Sequence, residues 1–378
     1  MNTNSSLQIR HGASTSTDAH LAVDEIRHLI LQDQPKLIMF FCSAAYDLAK
    51  LATELRTAFG STPTIGCTTA GQLGLDGFTK GGLTAISLAG DISALPYAVD
   101  LATVESAVTD LVYETTRVNE APHDLHSFGL LLVDGLSLME EQLASLLCRQ
   151  LPYLPIVGGS AGDGLSFKQT HVYVNGEFRT HAAVFTLFRT RLPFRTIKFA
   201  HFVPTDHTLV VTHSDPDKRV VYELNGEPAT QVYSNLIGVP MKKLDAPTFA
   251  QNPLLFGMGG EQYVRSIAHA NPDQSLTLFC AIENGMVLTI GRAVDPLATA
   301  EAAFQRIRNE IGELALVIGC DCILRRLEFE NSGLLDTMGG IMKRNQVMGF
   351  STYGEQFDGL HVNQTFAGIA IGNEYAQP

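Results

Sequence analysis

Three short segments of the chain are built alike, and any fold has to accommodate all three. Ile65–Gln72 reads IGCTTAGQ and Met348–Glu355 reads MGFSTYGE, so both are apolar-Gly-x-Ser/Thr-Thr-x-Gly-polar without a gap. Val157–Asp163, VGGSAGD, is a looser copy that aligns with one residue deleted. Their flanks also agree. An apolar run precedes each copy: KLIMFFCS (Lys36–Ser43), FGLLLVDG (Phe128–Gly135) and LALVIGCD (Leu314–Asp321). Runs of this length and character predict buried strands. Leucines at helical spacing follow each run, as in Leu48, Leu51, Leu55 and Phe59 within Tyr46–Phe59. In the second copy Ser137 and Glu140 have the spacing of a capping box. After each glycine loop the chain returns to a strand: Gly82–Gly90, Ala182–Thr190 and Phe366–Glu374. The unit is strand, helix, strand, glycine loop, strand. It predicts an α/β (or α+β) protein with two related domains of mixed β-sheets flanked by helices.

The glycine loops do not match a nucleotide cradle. A phosphate loop needs a lysine followed by Ser/Thr at the head of a helix. Leu154–Leu165, LPIVGGSAGDGL, has no lysine, and the text after it, THVYVNGEF (Thr170–Phe178), alternates like a strand hairpin turning at Asn-Gly. The glycines are read as tight turns and close backbone approach. A sharper reading has the three loops meeting around a pocket, with Thr68, Thr69, Ser160, Ser351 and Thr352 as ligand hydroxyls.

Charge and cysteine usage limit the partners. With 26 basic and 39 acidic residues the net charge is −13, and no basic run exceeds two residues. Binding to nucleic acid or anionic lipid is therefore not expected. The six cysteines are spread through apolar text and read as reduced, buried thiols of a cytoplasmic protein. The amino-terminal MNTNSSLQIRHGAST has no apolar core of a signal peptide, and membrane insertion is not expected.

Several motifs together carry a family resemblance. GCTTAGQ, PIVGGSAGDGL, VVYELNGEPATQVY (Val220–Tyr233) and GFSTYGEQFDGLHVNQTF (Gly349–Phe366) resemble the FIST family of two-part bacterial sensory proteins, over roughly Asp18 to Gly372. CDCILRRLE (Cys320–Glu328) and HFVPTD (His201–Asp206) are similar to the nitric-oxide-sensing haem branch, the NosP-like proteins. The resemblance implies a FIST N-type sensory domain over 18–220 and a FIST C-type domain over 221–372. It also implies a non-enzymatic sensor that signals by contact with a histidine kinase or a cyclic-di-GMP synthase or phosphodiesterase. Such a sensor can form a homo-oligomer.

Haem, if present, would be b-type, because no Cys-x-x-Cys-His occurs. The candidate axial ligands are His201, among Ala200 and Phe202, and then His361, beside Asn363 and Gln364. Arg195 and Lys198 are near enough in sequence to His201 to meet propionates. His171 and His181 flank the second hairpin, and His123 and His126 have an i, i+3 spacing. Cys320 and Cys322 are a thiolate alternative. Two further functions compete with haem sensing. One is a FIST module that binds a small metabolite such as an amino acid. The other is a cysteine hydrolase using Cys67, placed at a strand-to-loop turn. Arg265, in a further glycine loop (GMGGEQYVRSI), is a candidate anion contact.

Overall fold

The computed structural model describes residues 6–119 and 125–373. The chain divides into two compact units. One comprises 1–198, 301–360 and 366–378, and the other 199–300 and 361–365. The units are thus discontinuous in sequence. All three glycine loops lie in the first unit.

Each repeat is longer than the sequence pattern suggests, because an outer strand and a helix precede the central strand. Repeat one runs through outer strand Leu7–Ser14, helix Ala19–Ile30, central strand Leu37–Ser43, helix Leu48–Phe59 and loop strand Thr64–Thr69. It ends with a hairpin of Gln72–Gly74 and Gly77–Thr79, then return strand Leu83–Gly90. Repeat two has the same order, with outer strand Ser93–Asp100, central strand His126–Val133, loop strand Ile156–Ser160, hairpin Val172–Val174 and Glu177–Arg179, and return strand Ala182–Thr190. Repeat three has outer strand Phe194–Phe199, central strand Leu314–Cys322, loop strand Val347–Thr352, hairpin Glu355–Phe357 and Leu360–Val362, and return strand Phe366–Gly372. Between its outer and central strands the chain runs through most of the second unit.

Each repeat gives its hairpin away. In every sheet the order is outer, return, central and loop strand, followed by the hairpin of a different repeat. The hairpin of repeat one joins the sheet of repeat three, that of two joins one, and that of three joins two. The exchange closes on itself and makes a ring of three mixed sheets. Central and loop strands are parallel, with Phe40 opposite Gly66, Leu131 opposite Gly158 and Gly319 opposite Gly349. Those three glycines answer to close approach. A Cβ there would lie 2.3, 2.1 and 1.7 Å from the carbonyl oxygens of Phe40, Leu131 and Gly319, so any side chain would force the strands apart.

The helices form by ordinary rules. Asp18 and Asp47 cap the first two helices by accepting from the N–H of Leu21 and Lys50. Ala22, Val23, Ile26 and Ile30 of the first helix, and Leu51 and Leu55 of the second, pack on Phe40 and Ala85. The expected capping box at Ser137 does not form. The helix there starts at Glu140, and the Ser137 hydroxyl donates to the Asp134 carbonyl at 2.7 Å.

The second unit is built differently. Its antiparallel sheet runs Glu261–Arg265, Leu254–Met258, Val287–Ala293, Phe202–Asp215, Val220–Leu224, Leu276–Leu278, Ile267–Ala270. Helices Ala229–Ile237 and Ala246–Gln251 cover one face, burying Tyr233 and Phe249 against Leu209, Val221 and Leu288.

Candidate functional site

The three glycine loops do meet, and they hold one another. Ala70 N–H donates to Ser351 O at 3.1 Å, Tyr353 N–H to Ser160 O at 3.1 Å, and Gly162 N–H to Thr68 O at 2.9 Å. A second set reinforces the first: Ser351 N–H to Gly71 O at 2.8 Å, Ser160 N–H to Gly354 O at 2.9 Å, and Thr68 N–H to His171 O at 2.9 Å. The backbone donors that might have cradled a ligand are spent on closing the ring.

These bonds also correct the alignment. Gly71 and Gly354 are matched by His171, so the second loop has no deletion but an insertion, residues 163–170, between Gly162 and His171. This inserted strap has its own fastening. The Asp163 carboxylate accepts from the N–H of Phe167 (2.9 Å), Lys168 (2.8 Å) and Gln169 (2.9 Å), and the Tyr353 hydroxyl donates to it. The Phe167 ring stacks on Tyr353 at 4.6 Å. Burial opposes the charge on Asp163, but these hydrogen bonds outweigh it and hold the carboxyl below its ordinary range.

Beneath the strap lies a cavity of about 800 Å³. Its floor is the carboxyl end of the parallel pair Leu37–Ser43 and Thr64–Thr69, where α/β folds place ligands. Thr69, Gln72 and His171 supply polar wall, while Leu48, Ile323 and Leu327 supply apolar wall. Gln72 is 1% exposed, and its amide N–H donates to Thr69 Oγ1 at 3.1 Å while its Oε1 has no partner. His171 Nδ1 is also buried without a partner, and burial lowers the imidazole pKa, so the ring is neutral near pH 7. The other repeats lack this pair: Gly71 and Gly354 match His171, and Val172 and Glu355 match Gln72.

Of the hydroxyls expected around a ligand, Thr69 lines the cavity. Thr68 accepts from the His171 N–H at 3.0 Å, Ser160 accepts from the Gln356 amide at 2.9 Å, and Thr352 donates to Glu355. Ser351 is fully buried, with its backbone in the loop bonds. Asp321, which the sequence leaves without a companion, forms a fully buried ion pair with Arg325 at 2.6 Å.

Cys67 lacks the exposure expected of a nucleophile. It is a fully buried strand residue, and burial first, then Cys42 and Cys320, drive its thiol well above the ordinary range. All six cysteines are free, and Cys148 alone of them is partly exposed.

The haem candidates are divided between the two units. Arg195 and Lys198 belong to the first unit, His201 and His361 to the second. Arg195 donates from Nε to Glu310 at 3.0 Å, and Lys198 lies over the Phe357 ring at 5.7 Å. His201 is fully buried against Phe202, ring centroids 4.5 Å apart, and His361 is 2% exposed. Neither lines the cavity under the strap. Cys320 and Cys322 are buried strand residues, His126 opens a strand, and His123 lies outside the described residues. Among the described residues no group of three or more His, Cys, Asp or Glu side chains is arranged to hold a metal ion.

Fold and cavity together define a repeat-built α/β module in which one repeat carries an inserted strap over a cavity. The chain belongs to the FIST family: the FIST N domain matches residues 36–227 and the FIST C domain residues 229–358. FIST domains are sensory domains of signal-transduction proteins. A stretch of 98 residues is 35% identical to an uncharacterized protein of Methanocaldococcus jannaschii, covering 26% of this chain and 19% of the archaeal one. The chain therefore spans much less than two thirds of that relative. No helix among the described residues is long and apolar enough to cross a membrane.

No sequence motif marks Gln72, Asp163 or Tyr353 as a site residue, and His171 is marked only as a haem candidate. Residues 163–170 were the available signal, since neither other loop has a counterpart to them.

Proposed function

We propose that this protein senses a small polar metabolite, such as an amino acid, bound beneath the 163–170 strap. The carrying observation is that Gln72 and His171, whose Oε1 and Nδ1 are buried without partners, both line the cavity. A buried acceptor without a donor costs about 1–3 kcal/mol, and a ligand ammonium or amide N–H removes that cost. Leu48 and Ile323 cover an apolar portion. The strap carries Leu165 and Phe167, 54% and 48% exposed, so its position is visible from outside. A histidine kinase or a cyclic-di-GMP enzyme would read that position by contact, and the chain itself catalyses nothing. Thermal-shift screening of amino acids and related amines tests this reading. A ligand should raise the midpoint of the wild type, and Gln72→Leu should abolish the rise. A panel that moves neither protein counts against it.

The haem b reading is favoured by one observation, the packing of His201 against Phe202 in apolar surroundings. Its test is an absorption spectrum with haem added, reduced, then exposed to nitric oxide. A stoichiometric Soret band that shifts with nitric oxide and is lost in His201→Ala or His361→Ala supports haem sensing. A broad, non-saturating band removes it.

A further inference from the structure

The second unit contains a buried arginine without a counter-charge. Arg265 closes strand Glu261–Arg265 and is 4% exposed. Among the described residues no carboxylate pairs with it. Its Nη1 donates to the backbone carbonyl of His361, and its guanidinium lies 5.8 Å from the Phe256 ring centroid. Its Nε is buried without an acceptor. Arginines are almost never this buried unless paired, because the charge is costly to remove from water.

A second orphan donor belongs to the chain segment beside it. Asn363 is fully buried; its N–H donates to Val264 O at 3.4 Å and its Oδ1 accepts from Ser266 N–H at 3.4 Å. These bonds fix the amide orientation, and Nδ2, the remaining donor, has no partner. Ser266 Oγ donates to Gln364 Oε1 at 2.7 Å, and the Gln364 amide donates to Ala250 O at 2.9 Å, so the segment 361–364 is pinned from both sides. Two buried donors, one on a cation, are therefore held where residues 264–266 meet 361–364.

We propose that the second unit binds a small carboxylate anion between Arg265 and Asn363. Nε of a planar guanidinium offers its N–H along the edge that a carboxylate matches. One carboxylate oxygen would accept from Arg265 Nε and from Asn363 Nδ2, which satisfies both orphans and neutralises the buried charge. The inference is independent of the ligand proposed for the first unit.

The test follows thermal unfolding of the full chain while sodium formate replaces the sodium salt of a bulky sulfonate at constant ionic strength. Acetate and chloride serve as parallel arms, separating carboxylate recognition from general anion binding. The wild-type midpoint should rise by about 2 °C for each tenfold increase in formate above Kd. Asn363→Asp keeps the acceptor for Ser266 and replaces the donor by a built-in carboxylate. That variant should start from a higher midpoint in the sulfonate salt and lose the formate response. Arg265→Gln should lose the response as well. A wild-type midpoint indifferent to formate overturns the proposal, as does an equal response in Asn363→Asp. If Arg265→Gln fails to fold, the Asn363→Asp comparison still decides. A rise with chloride equal to that with formate rejects the carboxylate assignment.

Discussion

At the residue scale, the three repeats fill the axis of the ring unequally. The strand registers put Cys67, Gly159 and Phe350 at matching positions, each one residue after a glycine of close approach. Phe350 takes the room that Gly159 gives up: a Cβ at Gly159 would meet Thr352 Cγ2 at 2.6 Å, Cys320 Sγ at 2.9 Å and Phe350 Cζ at 3.0 Å. Gly159→Ala should therefore destabilise the protein by about 1–3 kcal/mol in chemical denaturation. Adding Thr352→Ser, which deletes Cγ2 and keeps the hydroxyl for Glu355, should recover part of the loss. If Gly159→Ala is neutral, the axis is looser than the contacts indicate. The same packing silences Cys67. Alkylation of the native protein followed by peptide mapping should label Cys148 first and leave Cys67, Cys42 and Cys320 unmodified until unfolding. Early labelling of Cys67 would revive a nucleophilic role.

At the scale of elements, the strap stands out because it is an addition to a repeat. Three of its backbone N–H groups are held by Asp163, whose folded pKa lies below its ordinary value of 3.8. The sign follows: the carboxylate stabilises the strap at pH above 3.8, and that contribution fades as the pH falls through the depressed folded value. Amide exchange at Phe167, Lys168 and Gln169 should be protected near neutrality and lose protection in acid, relative to strand amides of the same unit. Asp163→Asn should expose the same three amides at pH 7 with little change in global stability. Unaltered protection in that variant would show that the Phe167–Tyr353 stack, Gly164 N–H to Thr69 O and Thr170 to Asp134 hold the strap without the Asp163 charge.

At the scale of the molecule, the cyclic hairpin exchange means that no repeat completes a sheet by itself. Every sheet of the first unit includes strands from two repeats. Leu131→Ala, a core deletion on the central strand of repeat two, should cost about 2–5 kcal/mol. Its effect on hydrogen exchange should reach the strands of all three repeats equally, since opening one removes an edge from the next. Selective loss of protection in repeat two would mean that the ring is less cooperative than its topology.

The sequence was sufficient for whatever depends on neighbours along the chain. Apolar runs, leucine spacing and the Asn-Gly turn at Asn175–Gly176 identified strands, helices and one hairpin, because periodicity reports which face of an element is buried. The recurring glycines were also legible, and close approach between parallel strands is their reason. The motif text further located the family, which spans most of the chain. What remained hidden depends on which repeat receives which hairpin, and no local pattern carries that. Nor does any local pattern show that most of a second unit is inserted between the outer and central strands of the third repeat. The sequence suggested five ligand hydroxyls, whereas internal hydrogen bonds occupy Thr68, Ser160 and Thr352, and the fold brings Gln72 and His171, far apart in sequence, to one wall. Burial decided the rest: Cys67, reactive in outline, is desolvated into inertness, while Arg265 keeps a charge that its surroundings do not answer. Local chemistry determined the elements, and long-range pairing decided which side chains were left with something to bind.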